Sequence, residues 1–175
     1  MAVTGTSLAV EEQLVFDEHQ LIHIHNGGYQ FIDVQTFVFP DAVDDRAVIE
    51  LLIGHVRYRH GYASPEYRDA KLIHGPYWLA AISWESFSAV SAVAAEALIS
   101  TWANYDAVVP DSDYPVLNAQ VFGPMREASS IYQLADLRAS AEHDWGDVVG
   151  LTGFHEFVVI NRQTRILRLI VATDD

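Results

Sequence analysis

Residues Gln13 to Phe39 read QLVFDEHQLIHIHNGGYQFIDVQTFVF, and the fold class turns on this stretch. Its apolar runs, QLVF at Gln13 to Phe16, LIHIH at Leu21 to His25 and YQFIDVQTFVF at Tyr29 to Phe39, carry the β-branched and aromatic residues and the period-two patterning of strands. Between the last two runs stands Asn26-Gly27-Gly28, residues that tolerate the positive φ a tight hairpin turn requires. In the first arm of this hairpin Ile22 and Ile24 share one face, and His23 and His25 share the other. The second arm is apolar on both faces, Ile32, Val34 and Val38 against Tyr29, Phe31 and Phe37, which predicts a strand inside the sheet.

Beyond Pro40, Asp41 to Asp45 offers N-cap candidates for AVIELLIGHVRYRH, in which Val48, Leu51, Leu52 and Val56 form a helical stripe that Gly61 ends. Ser64-Pro65-Glu66 starts another helical turn, and Leu72 to Ile82 reads as a short strand around Gly75-Pro76. From Glu85 to Asn104 the chain is alanine-rich and free of Gly and Pro, predicting the longest helix, about 30 Å at about 1.5 Å per residue. A loop of acids and prolines follows, then a strand at Val116 to Phe122, a break at Gly123-Pro124, a helix over Met125 to Leu137 and a connection from Ala139 to Gly153. Phe154 to Ile160 and Ile166 to Ala172, joined by Asn161 to Thr164, form a second hairpin. The product is an α+β domain, a mainly antiparallel sheet with N- and C-terminal hairpins packed on a long Ala-rich central helix. Residues 1–10 read as a flexible tail and 11–175 as a single domain, the size one hydrophobic core supports.

Ten basic residues stand against 24 acidic ones, a net charge of −14 that repels phosphate backbones and argues against direct nucleic-acid binding. Apolar runs fall short of the roughly 20 residues a bilayer requires. The first residues lack the basic start and long apolar stretch of a secretory signal, and there is no cysteine, so a cytoplasmic address is expected, without disulfides or thiolate chemistry. Lys71 alone against nine arginines, with abundant alanine, is the usage of a high-GC bacterium.

The sequence contains no phosphate loop, dinucleotide fingerprint, nucleophile elbow or H-E-x-x-H helix. His23 and His25 have the spacing of two metal ligands on a strand, with Asp33 diagonal to His23 as a third and His19 or His155 as others; an exposed polar face of a hairpin explains the same residues. His143, His155 and Glu156, among Asp144 and Asp147, offer a general acid or base, or merely turn-capping acids. Arg57, Arg59 and Arg68 make a basic neighbourhood for an anion, unless they pair with nearby acids. Asp111 and Asp113, together with Asp144, Trp145 and Asp147, combine rim acids with an aromatic anchor, the pattern of a partner-binding face. The function these features imply is a small acidic interaction module of toxin-neutralising or regulatory type that binds a basic protein partner, with no cofactor. The alternative is a small-molecule enzyme or binding protein with a histidine-lined pocket, holding a divalent transition metal at His23, His25 and Asp33.

Overall fold

The structure, a computed structural model, describes residues 9–62, 72–141 and 153–174. The element order begins with a short helix α1 (Val10–Gln13), then β1 (Val15–His23), β2 (Gln30–Val38) and helix α2 (Asp45–Gly54). A two-residue hairpin of β3 (Ile73–His74) and β4 (Tyr77–Trp78) leads to β5 (Phe87–Ala89) and helix α3 (Ala92–Ala103). Next come α4 (Tyr114–Leu117), a π turn (Asn118–Phe122), α5 (Gly123–Arg126), β6 (Ser130–Leu134), α6 (Arg138–Ala141), β7 (Phe154–Asn161) and β8 (Ile166–Asp174). Six strands form one fully antiparallel sheet in the order β1-β2-β8-β7-β6-β5. The α+β class and both terminal hairpins thus stand as expected, and the C-terminal hairpin forms the middle of the sheet.

Each sheet face carries its own core. Phe31, Phe37, Leu167, Leu169 and Val158 share one core with Val48, Ile49 and Leu52 of α2, which are fully buried. On the opposite face Ile32, Val34, Ile170 and Phe157 meet Ile99 and Trp102 of α3 and Leu117 and Val121 of the following helical run. β2 supplies alternate residues to both cores, which is why it is apolar on both sides. Each such aliphatic or aromatic side chain contributes about 1.5–3 kcal/mol when fully buried.

Local chemistry sets the boundaries. Asp44 caps α2 by accepting from the Ala47 N–H at 2.8 Å, and α2 ends at Gly54, well before Gly61. The His55 ring then accepts from the Arg57 N–H at 3.1 Å, opening a 3₁₀ turn over Val56–Tyr58. Burial lowers the His55 pKa from its ordinary value. Between β3 and β4, Gly75 has φ 52°, and a Cβ there would lie 2.5 Å from the Phe154 ring, so this turn admits glycine alone.

Three expectations are corrected. The long helix from Glu85 is replaced by β5 and the twelve-residue α3, capped by Ser91 accepting from the Ala94 N–H at 3.1 Å. Phe87 belongs to one core and the buried face of α3 to the other, so the chain must pass around the sheet edge between them, which an unbroken helix cannot do. Val116 to Phe122 is helical, not a strand, because Leu117, Val121 and Met125 recur at four-residue spacing and bury together. Pro124 does not break this run; the widened π turn accommodates a residue that has no N–H and whose ring would strike the carbonyl four residues earlier. The helix expected over Met125 to Leu137 ends at Arg126, and Ser130–Leu134 pairs instead with β5 and β7. At the start of the chain Val10 already lies in α1, and Leu14 is fully buried.

One ion pair ties the β7–β8 turn to α2. Asp45 accepts from Ser130 Oγ at 2.6 Å, Tyr132 Oη at 2.8 Å and Arg162 Nε at 3.0 Å. Partial burial would raise its carboxyl pKa, but these hydrogen bonds outweigh burial and hold it below the ordinary value of 3.8. A depressed folded-state pKa means that the stabilisation is fully present above that value and fades as the pH falls from there through the folded-state one. Asp45→Asn is therefore expected to cost about 1.5–3 kcal/mol at pH 7, with the gap to wild type narrowing below about pH 4 in urea titrations. A gap independent of pH would show that the Asp45 charge contributes nothing.

Candidate functional site

A β-bulge between Phe16 and Glu18 shapes the site. The extra residue shifts the alternation of β1, so Phe16, His19, Leu21 and His23 all face the same side as Phe37, Gln35, Asp33 and Phe31 of β2. The Phe16 and Phe37 rings meet edge to face at 5.8 Å. Toward the hairpin end this face opens into a pocket of about 470 Å³. His19, Leu21 and His23 line it from β1, Phe31 and Asp33 from β2, Gly27, Gly28 and Tyr29 from the turn, and His60 and Tyr62 from the segment after the 3₁₀ turn.

Asp33 forms the floor. It is 2% exposed, lies opposite Leu21 on β1 and Val171 on β8, and accepts from His19 Nε2 through Oδ2 at 2.6 Å. Its other oxygen, Oδ1, is buried without a hydrogen-bond partner. Tyr62 closes the inner wall in a left-handed conformation, φ 59°, uncommon for a residue with a side chain. The His60 ring holds it there, Nδ1 accepting from the Tyr62 N–H at 3.0 Å with the two rings 4.4 Å apart. The Tyr62 hydroxyl lies beside the Gln35 amide without completing a hydrogen bond of ordinary geometry. Burial first, and then the charges of Asp33 and Glu156, push its pKa well above 10.

Behind Tyr62 lies a buried network. On the sheet, Glu156 of β7 stands across Val171 from Asp33, so both carboxylates occupy one cross-strand row of the same face. Tyr58 Oη donates to Glu156 Oε1 at 2.8 Å, and the Tyr58 and His74 rings stack at 3.6 Å. His74 Nδ1 donates to the Tyr58 carbonyl while Nε2 meets Glu156 Oε2, so a single proton lies between imidazole and carboxylate. Both side chains are completely buried. Burial, followed by the Glu156 charge, raises the Tyr58 pKa well above 10.

The expected ligand set His23, His25 and Asp33 is not assembled. His23 faces the pocket, its ring 6.2 Å from Phe31. His25 has left the strand with φ 61°, and its Nε2 donates to the Ala103 carbonyl at 2.9 Å, so the two histidines do not point the same way. The partner of Asp33 is His19, diagonal to it, and among the described residues no three His, Asp or Glu side chains come together as a metal site.

Of the expected acid–base group, His155 and Glu156 take opposite faces. Glu156 enters the buried network, whereas half-buried His155 lines a smaller recess of about 240 Å³ with Asp136 and Arg138. The Arg138 hydrogen bonds hold the Asp136 carboxyl at about 2. Arg57 and Arg59 are exposed but serve different neighbours, the Arg57 guanidinium lying over the Phe16 ring at 3.3 Å and Arg59 standing near Glu11 and beside Trp78. Asp111 and Asp113 form a 3₁₀ turn, and Asp113 Oδ2 accepts from the His25 N–H at 3.1 Å, fastening that loop to the first hairpin. Arg68, His143, Asp144, Trp145 and Asp147 lie outside the described residues.

Sequence reasoning missed Tyr58, Tyr62 and His74, and read His60 only as part of the basic neighbourhood around Arg57 and Arg59. His74 beside Gly75-Pro76 gave a turn signal, but no local pattern pairs it with Glu156, 82 positions away. Among the described residues no helix is long and apolar enough to cross a membrane. No family model matches the sequence, and no curated protein does. Among solved structures, the crystal structure of citrus MAF1 superposes over 87% of this chain and 92% of its own with a TM-score of 0.40 and 12% identity, a likeness that carries no argument about function.

Proposed function

We propose that the protein is a small acidic interaction module, of toxin-neutralising or regulatory type, that takes a basic protein partner on the stretch from Tyr105 to Val116. The supporting observation is the exposure of large apolar side chains among acids there. Tyr105 is 63% and Val108 81% exposed, Tyr114 and Val116 are 38% exposed, and Asp106 and Asp111 are exposed between them. Apolar anchors rimmed by charge are what binding faces present. The loop is held in place for the task by buried Val109, whose N–H donates to Asn104 Oδ1 at 2.9 Å, and by the bond from the His25 N–H to Asp113. With a net charge of −14, the complementary surface is basic.

Neutralising Asp106 and Asp111 to asparagine is expected to slow association with a basic partner captured by the wild-type protein from its host and to weaken the salt dependence. Tyr105→Ala with Val108→Ala is expected mainly to speed dissociation, by about tenfold or more. Surface plasmon resonance across a salt series reads both. A partner indifferent to both pairs of substitutions would mean that this loop is not the binding face. A second reading, a small-molecule site, is favoured by the pocket over Asp33, whose walls carry three histidine rings.

A further inference from the structure

We propose that the pocket over Asp33 binds a flat nitrogenous cation of the amidinium or guanidinium class; this rests on reading the pocket as a small-molecule site. Asp33 lines the pocket; its Oδ1 is almost wholly buried and has no partner, while Oδ2 is held by His19. A buried carboxylate oxygen in this state demands a donor, and its charge favours a cationic one. The walls specify shape. Phe31, Tyr62 and Tyr29, the last 80% exposed, line the pocket with aromatic surface, which suits a flat cation whose N–H groups turn toward Asp33. The strained backbone at Tyr62 points the same way, since residues held at positive φ by their surroundings concentrate at ligand sites. Within the described residues no Lys or Arg side chain lines this pocket, so Asp33 faces no fixed cation there.

The test is isothermal titration calorimetry of the full-length protein with benzamidinium, its uncharged isostere benzamide, and benzoate, coupled to NMR of the histidine rings. Benzamidinium is expected to bind at a single saturable site at least about tenfold more tightly than benzamide, with benzoate inert, and to move the His19 and His23 ring resonances but not those of His55. Asp33→Asn is expected to remove the preference for the cation. Because a change at so buried a position can disturb folding, Tyr29→Ala at an exposed position provides an independent variant, expected to weaken benzamidinium several-fold. If benzamide or benzoate binds as well as benzamidinium and moves the same resonances, the pocket stands as a small-molecule site and the cation assignment is overturned. If none of the three binds, or benzamidinium binds without moving His19 and His23, the site itself is overturned.

Discussion

Deleting everything after Ala139 is expected to abolish cooperative folding. The lost segment includes β7 and β8, and β8 pairs with β2 along nine positions on one side and with β7 along eight on the other. Removing both leaves β2 and β6 facing a gap in the middle of the sheet. It also strips each core of its central residues, Leu167, Leu169, Val171 and Val158 from one and Phe157, Val159 and Ile170 from the other. At about 1.5–3 kcal/mol for each buried side chain, the loss is comparable to or larger than the 5–15 kcal/mol by which a whole domain is normally stable. Far-UV circular dichroism and a thermal melt of the shortened chain check this. A retained cooperative transition with native ellipticity would show that the first 139 residues fold on their own.

Glu156→Ala is expected to destabilise the protein by about 3–5 kcal/mol, the cost of leaving a buried polar group without its charged partner. The substitution removes the acceptor of the Tyr58 hydroxyl and the partner of His74 Nε2 at a site without solvent. Glu156→Gln should behave differently. The amide oxygen can still accept from Tyr58, and the amide N–H₂ can donate to a neutral His74 whose Nδ1–H stays on the Tyr58 carbonyl, so every group remains bonded without a buried charge. Its cost is expected to be about 1 kcal/mol or less. Urea denaturation of both variants separates the contributions. Equal losses for Ala and Gln would mean that the charge of the pair stabilises the fold, and a negligible loss for Ala would mean that the network is not stabilising at all. Because Tyr62 packs edge-on against His74 at 5.3 Å, disturbance of this network is also expected to reach the wall of the pocket.

The sequence by itself determined the elements whose signals are short-range and mutually consistent. Asn26-Gly27-Gly28 between alternating runs dictates the first hairpin, and Gly27 does take φ 99°. The doubly apolar pattern of residues 30–38 places β2 inside the sheet, and Phe154 to Ala172 reads as a hairpin because β-branched residues flank a polar turn. The register that sets Phe31 opposite His23 follows from the turn, and the structure has it.

Tertiary structure alone decided the rest, for reasons that can be named. Residues 85–91 and 116–134 have apolar patterns compatible with either helix or strand. What settles them is which core is within reach: Phe87 has Leu134 to pair with, and Leu117, Val121 and Met125 have the outer face of the sheet to cover. The bulge in β1 is invisible to counting by twos, yet it puts Phe16 and His19 on one face. His25 shares strand parity with His23 in the sequence, but the turn rotates it onto the Ala103 carbonyl, 78 residues distant. The site follows the same logic. Asp33 and His19 lie within one hairpin and were legible as candidates, whereas Tyr58, Tyr62, His74 and Glu156 meet only because the sheet brings β7 beside β8 and the β3–β4 hairpin closes over them. Backbone preference acts over a few residues, while burial of polar groups is satisfied by whatever partner the packed chain delivers.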